Sequence, residues 1–205
     1  MNSDTVKKFA SAWADLFLKN RERLVELDSV AGDGDIGLVL SDGFIKVNEA
    51  LSASDQDDVG KLFYQIGKVL SVEAPSSMGT LLATGFMRGG KALKGKSEFS
   101  VNDLCVMLQN FAQAIMDMGG AKEGEKTALD SLLPGLRALS ENENESPDIA
   151  LAAAATAAEN GFENTKNMIA RHGRIAVRGE DSRSIADPGA AAVALLYEGM
   201  KQAVS

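Results

Sequence analysis

The chain has 205 residues, of which 45% are hydrophobic and 24% are charged, a composition typical of a soluble globular protein. A chain of this length can bury one sizeable core, so we expect a single domain over residues 1–205. The formal net charge of −8 disfavours a nucleic acid partner, because an acidic surface repels phosphates.

The sequence predicts a cytoplasmic protein that does not enter a membrane. No apolar run approaches the roughly 18 residues that a membrane helix needs. Charged residues interrupt the first 20 positions, which is not typical of a signal peptide: Asp4, Lys7, Lys8, Asp15 and Lys19. Cys105 is the single cysteine, so no internal disulfide can form, and its apolar neighbours favour a buried structural thiol.

Apolar residues recur at three- and four-residue spacing along almost the whole chain, which predicts an all-α protein. Eight helices are expected, over residues 9–27, 44–51, 62–70, 78–86, 104–115, 129–136, 147–169 and 187 to the C-terminus. Pro134 predicts a kink, and 175–177 is the one weak strand candidate. Short joins favour antiparallel neighbours in an up-and-down bundle or barrel.

Three carboxylates lie within eight residues at Asp28, Asp33 and Asp35, with glycines between and after them. Like charges this close repel one another unless a cation lies between them. Mg²⁺ prefers carboxylate oxygens together with substrate phosphates, and glycines let the backbone turn tightly enough to bring the aspartates together. A solvated turn that caps the next helix is the alternative interpretation.

Residues 171–186 form a long connection with four arginines, which we call the arginine loop. Long loops inside compact domains are usually functional. This loop leads into Asp187, Pro188 and Gly189, which are typical of a helix start whose N–H groups favour an anionic ligand. We therefore predict that the loop is a lid over a ligand. An ordinary mobile loop is the alternative.

Two other features have simpler interpretations. Residues 90–97 match the letters of a P-loop, but they follow a predicted helix instead of a buried strand, so we interpret the match as chance. The flanking sequence offers His172, the single histidine, no orienting partner, so a solvated loop histidine is expected.

Four blocks, at 27–37, 74–80, 119–130 and 173–190, together resemble the dihydroxyacetone kinase L family in the family's order. The resemblance implies an eight-helix antiparallel barrel with ADP or ATP and two Mg²⁺ ions at one mouth. It implies that Asp28, Asp33 and Asp35 hold the metal and that no side chain acts as a nucleophile. The implied nucleotide-binding residues are Ile36, Gly37, Leu38, Val39, Ser76, Ser77, Met78, Gly119, Ala128, Arg174, Asp187, Pro188 and Gly189.

The resemblance also implies partners. A separate K subunit would hold the sugar covalently on a histidine, and the phosphoryl source would be either a phosphohistidine protein of the phosphotransferase system or exchanging ATP. A homodimer is left open. A regulatory nucleotide-binding module without phosphoryl transfer is the main alternative. The chain departs from the family pattern at Ile36, where histidine is usual, and in a shortened serine block at Ser76 and Ser77.

Overall fold

The computed structural model describes residues 1–30 and 32–205. Within these residues the chain forms nine α-helices and two 3₁₀-helices, and it has no β-strand beyond one bridge between Asn2 and Glu98. The α-helices are α1 Ser3–Lys19, α2 Arg21–Ser29, α3 Ile36–Ser52, α4 Val59–Glu73, α5 Ser77–Ala92, α6 Val101–Gly119, α7 Leu129–Glu141, α8 Pro147–Asn164 and α9 Pro188–Gln202. The 3₁₀-helices are Thr165–Asn167 and Arg174–Ser182. The predicted all-α class is confirmed.

Polar residues begin most of these helices, because a side-chain oxygen can accept a backbone N–H that has no partner within the helix. Asn2 and Ser100 form capping boxes at α1 and α6. Asp58, Ser76 and Asp187 accept N–H groups from the first turns of α4, α5 and α9. These local signals fix where these five helices start, whereas α2, α3, α7 and α8 have no side-chain cap bond.

The helices close into a ring. Each helix from α3 to α8 packs against the next one along the chain, and α9 packs against α1, which in turn packs against α3. Eight helices therefore surround the core, as the predicted barrel requires, while α2 packs against α3 and α9. None of the helices in the described residues is both long and apolar enough to span a membrane.

Aromatic side chains fill the interior of the ring. Phe17 stacks on Phe44, with 4.4 Å between ring centroids. The indole N–H of Trp13 donates to the Leu196 carbonyl at 2.8 Å, and the Tyr197 hydroxyl donates to the Leu132 carbonyl at 3.0 Å. The polar hydrogens of these two buried side chains thus donate to backbone oxygens. Cys105 is buried, as predicted, and burial raises its pKa to about 11.

Three details differ from the sequence-based predictions. The first predicted helix is interrupted at Asn20, where the backbone leaves helical geometry and the side-chain amide donates to the Leu16 carbonyl at 2.8 Å. The weak strand candidate at 175–177 is wrong, because those residues belong to a 3₁₀-helix. The seventh predicted helix ends at Asn164 and continues as the short 3₁₀-helix Thr165–Asn167. Pro134 lies inside α7, which continues past it.

Candidate functional site

The N-termini of α3, α5, α7 and α9 lie at the same end of the barrel, because alternate helices in an up-and-down ring run in the same direction. Each N-terminus carries unpaired N–H groups and a partial positive charge. Most of the predicted nucleotide-binding residues belong to these four N-termini. This mouth of the barrel is therefore suited to an anionic ligand.

The acidic residues sit in the turn between α2 and α3, which requires glycine at two positions. A Cβ atom at Gly32 would lie 2.1 Å from the Oδ1 atom of Asp28, so no other residue fits without moving that carboxylate. Gly34 has a φ of +75°, which other residues rarely adopt. Both features bring the turn back over the end of α2. Ala31 of this turn lies outside the described residues.

The turn gathers the three predicted carboxylates. One oxygen each from Asp28, Asp33 and Asp35 lies within 4.8 Å of the others. Asp28 is buried and accepts the Ile36 N–H at 3.3 Å, Asp33 is exposed, and Asp35 is half-buried. Burial, followed by the charges of Asp33 and Asp28, raises the pKa of Asp35. The negative charges of the three carboxylates thus repel one another.

A divalent cation fits this arrangement chemically. All three donors are carboxylate oxygens, the ligands that hard cations such as Mg²⁺ take in proteins. The three carboxylates converge from the end of α2 and the turn after it, and Asp33 is exposed, so a cation held here would also be within reach of phosphate oxygens and water. The residues present therefore suit magnesium bound together with a phosphorylated ligand.

Residues predicted to contact the nucleotide converge from three helices. A Cβ atom at Gly189, in the first turn of α9, would lie 3.4 Å from the Sδ atom of Met78 and 3.6 Å from the Cβ atom of Ala128. Met78 belongs to the first turn of α5, and Ala128 precedes α7. Gly189, Met78 and Ala128 therefore pack closely against one another at the mouth.

The predicted residues at the starts of α5 and α3 have a different arrangement. Ser76 uses its hydroxyl oxygen to accept the Gly79 N–H at 3.0 Å, and its own N–H donates to the Ala74 carbonyl. Ser77 and Met78 are the residues whose N–H groups the first turn of α5 leaves unpaired. In α3, a Cβ atom at Gly37 would lie 2.2 Å from the Arg21 carbonyl, whereas Leu38 is 44% exposed at the mouth.

The arginine loop reaches the acidic turn. A guanidinium nitrogen of Arg174 lies 2.6 Å from an Asp33 oxygen, and Arg178 donates to the Val30 carbonyl at 2.6 Å. The loop is mostly 3₁₀-helical and breaks at Gly179, where φ is +55°. One arginine of the loop thus pairs with the carboxylate cluster, and a second binds the backbone at the end of α2. A Cβ atom at Gly119, at the end of α6, would meet Leu81 at 4.0 Å and no other atom within that distance.

Sequence reasoning missed the contacts that hold the base of this loop. Lys126 is 1% exposed, and its ammonium group donates to backbone carbonyls on both sides of the loop. His172 is not a free solvated histidine as predicted, because its Nε2 atom lies 2.8 Å from an oxygen of Glu125. The Lys122 N–H and then His172 lower the pKa of Glu125. A lysine and a glutamate in a polar segment give no local sign of these distant partners.

Asp187 is another buried ionisable group at this end of the barrel. Its carboxylate accepts the Ala190 N–H at 2.7 Å, and its backbone N–H donates to the Thr165 hydroxyl at 3.0 Å. Burial raises the pKa of Asp187 to about 7, against the opposing effects of the Ala190 N–H and the Lys126 charge.

The P-loop-like segment has a structural explanation. It begins inside α5 and continues past its C-terminal end, with Gly90 packed against the backbone of Gly60 and Tyr64. Lys96 pairs with Asp103 at 2.9 Å. A phosphate site of this type needs a strand before the loop and a helix N-terminus after it, so the chance match is confirmed by its context.

A model of the DAK2 domain matches residues 30–202, which is most of the chain. The chain belongs to the DAK2 domain family. The family match includes Asp33 and Asp35, the arginine loop and the N-termini of α5, α7 and α9. The resemblance to the dihydroxyacetone kinase L family is thereby confirmed, and the all-helical fold agrees with it.

Relatives of this DAK2 chain are kinase subunits. The chain is 33% identical to the ADP-binding subunit DhaL of the PEP-dependent dihydroxyacetone kinase of Escherichia coli, over 90% of this chain and 89% of that protein. It is 34% identical to the ADP-binding subunit of the PEP-dependent dihydroxyacetone kinase 2 of Listeria innocua, over 92% and 91%. The crystal structure of the C. freundii dihydroxyacetone kinase with AMP-PNP and Mg²⁺ matches with a TM-score of 0.71 and 25% identity, over 98% of this chain. The chain spans only 33% of that structure's chain.

Proposed function

We propose that this chain, as a single domain over residues 1–205, is the nucleotide-binding subunit of a dihydroxyacetone-type kinase. It would pass a phosphoryl group from magnesium-bound adenine nucleotide to a sugar held on a separate K subunit. The observation that carries the proposal is the convergence of three carboxylates, within 4.8 Å, at the mouth where four helix N-termini meet. The names of the ADP-binding relatives support the choice of nucleotide.

Different residues at this mouth would bind different parts of the nucleotide. Asp28, Asp33 and Asp35 would hold the metal, which would neutralise phosphate charge and keep the phosphoryl group in position for transfer. The N–H groups of Ser77 and Met78 would donate to phosphate oxygens, since the N-terminus of a helix favours anions. Gly189 and Ala128, which pack beside Met78, would line the site of the base or ribose.

Arg174 would add positive charge beside the carboxylates and the bound phosphates. Its guanidinium lies 2.6 Å from Asp33, so it already faces the cluster to which phosphates would bind. Arginine binds phosphate with several N–H donors, and the loop that carries it would exclude water from the transferring group. Phosphoryl transfer depends mainly on positioning and charge neutralisation, so this chain needs no nucleophilic side chain of its own.

The proposal can be tested by calorimetry and mass spectrometry on the purified chain. We expect ADP to bind only with Mg²⁺, and Asp33→Ala to abolish that binding because it removes a ligand and the partner of Arg174. Lys96→Ala, at the P-loop-like segment, is the matched control and should keep normal affinity. Equal nucleotide binding by Asp33→Ala and the unmodified chain would contradict the proposed metal site.

The same preparation separates the two phosphoryl sources. ADP retained through purification would support a partner of the phosphotransferase system that recharges it, whereas freely exchanging ATP would support direct use of ATP. Magnesium-dependent nucleotide binding without phosphoryl transfer to dihydroxyacetone, with a sugar-binding K subunit present, would favour the regulatory module instead.

A further inference from the structure

A fully buried lysine lies next to the proposed nucleotide pocket without taking part in it. Lys126 belongs to the connection between α6 and α7, two residues before Ala128, and is 1% exposed. Its φ of +61° is unusual for a residue with a side chain. Burying an ammonium group costs free energy unless each of its N–H donors has an acceptor. The Lys126 ammonium group is therefore expected to have a hydrogen-bond partner for each N–H.

The three N–H donors of this ammonium group meet three backbone carbonyls. Lys126 Nζ lies 2.9 Å from the Thr165 oxygen, 2.8 Å from the Ser182 oxygen and 3.4 Å from the Met168 oxygen. Thr165 and Met168 precede the arginine loop, and Ser182 lies near its end. One side chain from a third segment therefore joins both sides of the base of the loop.

Further hydrogen bonds extend this junction to α9. The Thr165 hydroxyl accepts the Asp187 N–H at 3.0 Å, and the Asp187 side chain in turn caps α9 through Ala190. The Ser182 hydroxyl accepts the Ala170 N–H at 2.9 Å. The position of the α9 N-terminus, where Gly189 borders the pocket, is thus coupled to the partners of Lys126.

We propose that Lys126 is a positioning residue for the nucleotide site, which holds the arginine loop and the start of α9 in place against the connection before α7. This inference rests on the proposed function, because it concerns the same pocket. Without the ammonium group, two buried carbonyls lose a charged donor, and the base of the loop loses a side chain that joins Thr165 to Ser182. The contacts of His172 with Glu125 and of Arg183 with the Asn167 carbonyl remain, but they are more exposed to solvent. The loop would then sample positions in which Arg174 no longer faces Asp33.

The test compares Lys126→Met with Lys7→Met. Lys7, in α1, also donates to a backbone carbonyl, that of Ser54 at 2.7 Å, but far from the arginine loop in the chain. For Lys126→Met we expect the affinity for ADP with Mg²⁺, measured by calorimetry, to fall at least about tenfold. Amide hydrogen exchange should accelerate in residues 171–186 and stay unchanged in α4 and α5. Lys7→Met should keep the affinity of the unmodified chain.

A double-mutant cycle with Arg174→Ala measures the coupling between the two residues in ADP affinity, which a general loss of stability would not change. If Lys126 acts by placing the loop, Arg174→Ala should add little to the effect of Lys126→Met. Fully additive losses would overturn the inference, as would unchanged affinity in Lys126→Met or equally accelerated exchange in α4 and α5.

Two further outcomes are distinguishable. If the unmodified chain binds no ADP, the proposed function fails and this inference falls with it, whereas normal binding by both the unmodified chain and Lys126→Met overturns the inference alone. If Lys126→Met does not fold, Thr165→Val tests the same junction, because it removes the hydroxyl that accepts the Asp187 N–H. It should lower ADP affinity about threefold, and unchanged affinity would overturn the inference.

Discussion

The carboxylate cluster should make the chain less stable when no metal is bound, and Asp35→Asn tests this directly. The substitution removes one charge and keeps the shape of the side chain. Asp35 is the residue before α3 and makes no side-chain cap bond there, and asparagine is an equally good N-cap, so no cap bond is lost. The substitution also removes the attraction between Asp35 and Arg174, which is weaker than the repulsion by Asp33 or by Asp28. The change in stability should therefore report the repulsion among the carboxylates.

The magnitude follows from the distances. Two unit charges about 5 Å apart repel by about 3 kcal/mol at an effective dielectric constant of about 20, and solvent around the exposed Asp33 reduces this to about 1 kcal/mol. For a chain of this length, about 1 kcal/mol raises the melting temperature by about 2–4 °C. Asp35→Asn should therefore melt at a higher temperature than the unmodified chain when Mg²⁺ and nucleotide are absent.

Adding ligand should reverse that order. At Mg²⁺ and ADP concentrations about a hundredfold above the dissociation constant, binding stabilises a protein by about 2.7 kcal/mol. The unmodified chain should gain this stability, and Asp35→Asn should gain little because its metal site lacks one ligand. Thermal melts with and without Mg²⁺-ADP measure both effects on one preparation.

Asp42→Asn is the control for a carboxylate of the same helix outside the cluster. Asp42 is 61% exposed and pairs with Arg21 at 3.3 Å, so its loss should change stability by less than about 0.5 kcal/mol and leave the ligand effect intact. The reasoning is refuted if Asp35→Asn lowers the melting temperature without ligand, or if it keeps the full stabilisation by Mg²⁺-ADP.

Other predictions concern single residues. Burial raises the pKa of Asp187 to about 7, so the native state holds this proton more tightly than the unfolded chain does, and stability should fall as pH rises from about 4 to 7. Asp187→Asn should flatten that slope in thermal melts. The Ser100 N–H, then Lys96, lower the pKa of Asp103, so Asp103→Asn should instead remove stability that is present at neutral pH and lost in acid. Gly32→Ala should weaken Mg²⁺-dependent ADP binding in calorimetry, because its Cβ would displace the Asp28 carboxylate.

Two comparisons complete these tests. If Asp187→Asn and Asp103→Asn change the pH dependence of stability in the same direction, the burial argument for Asp187 is wrong. For Gly32→Ala, normal nucleotide affinity would mean that the position of Asp28 does not matter for binding. Gly95→Ala is a suitable control for the addition of a methyl group, because a Cβ atom at Gly95 would meet no atom within 4 Å, although its φ of +92° adds backbone strain that Gly32 does not have.

Local signals in the sequence determined most of the fold. Helix periodicity and capping depend on residues three or four positions apart, so they can be recognised without knowledge of the tertiary structure. The same holds for the acidic turn, whose glycines and aspartates lie within a few residues of one another. The helix break at Asn20 was missed because the apolar spacing of α1 continues into α2, and only the turn of the backbone toward α3 separates them.

Only the tertiary structure could bring distant segments together. Nothing near Lys126 in the sequence indicates that carbonyls at 165 and 182 will surround it, and the same applies to the pairing of His172 with Glu125. The sequence by itself determined the helices and the cluster of acidic residues, because these follow from short-range hydrogen bonding and periodicity. The contact of Gly189 with Met78 and Ala128 and the placement of the arginine loop were decided by packing between elements far apart in the chain, which no local pattern encodes.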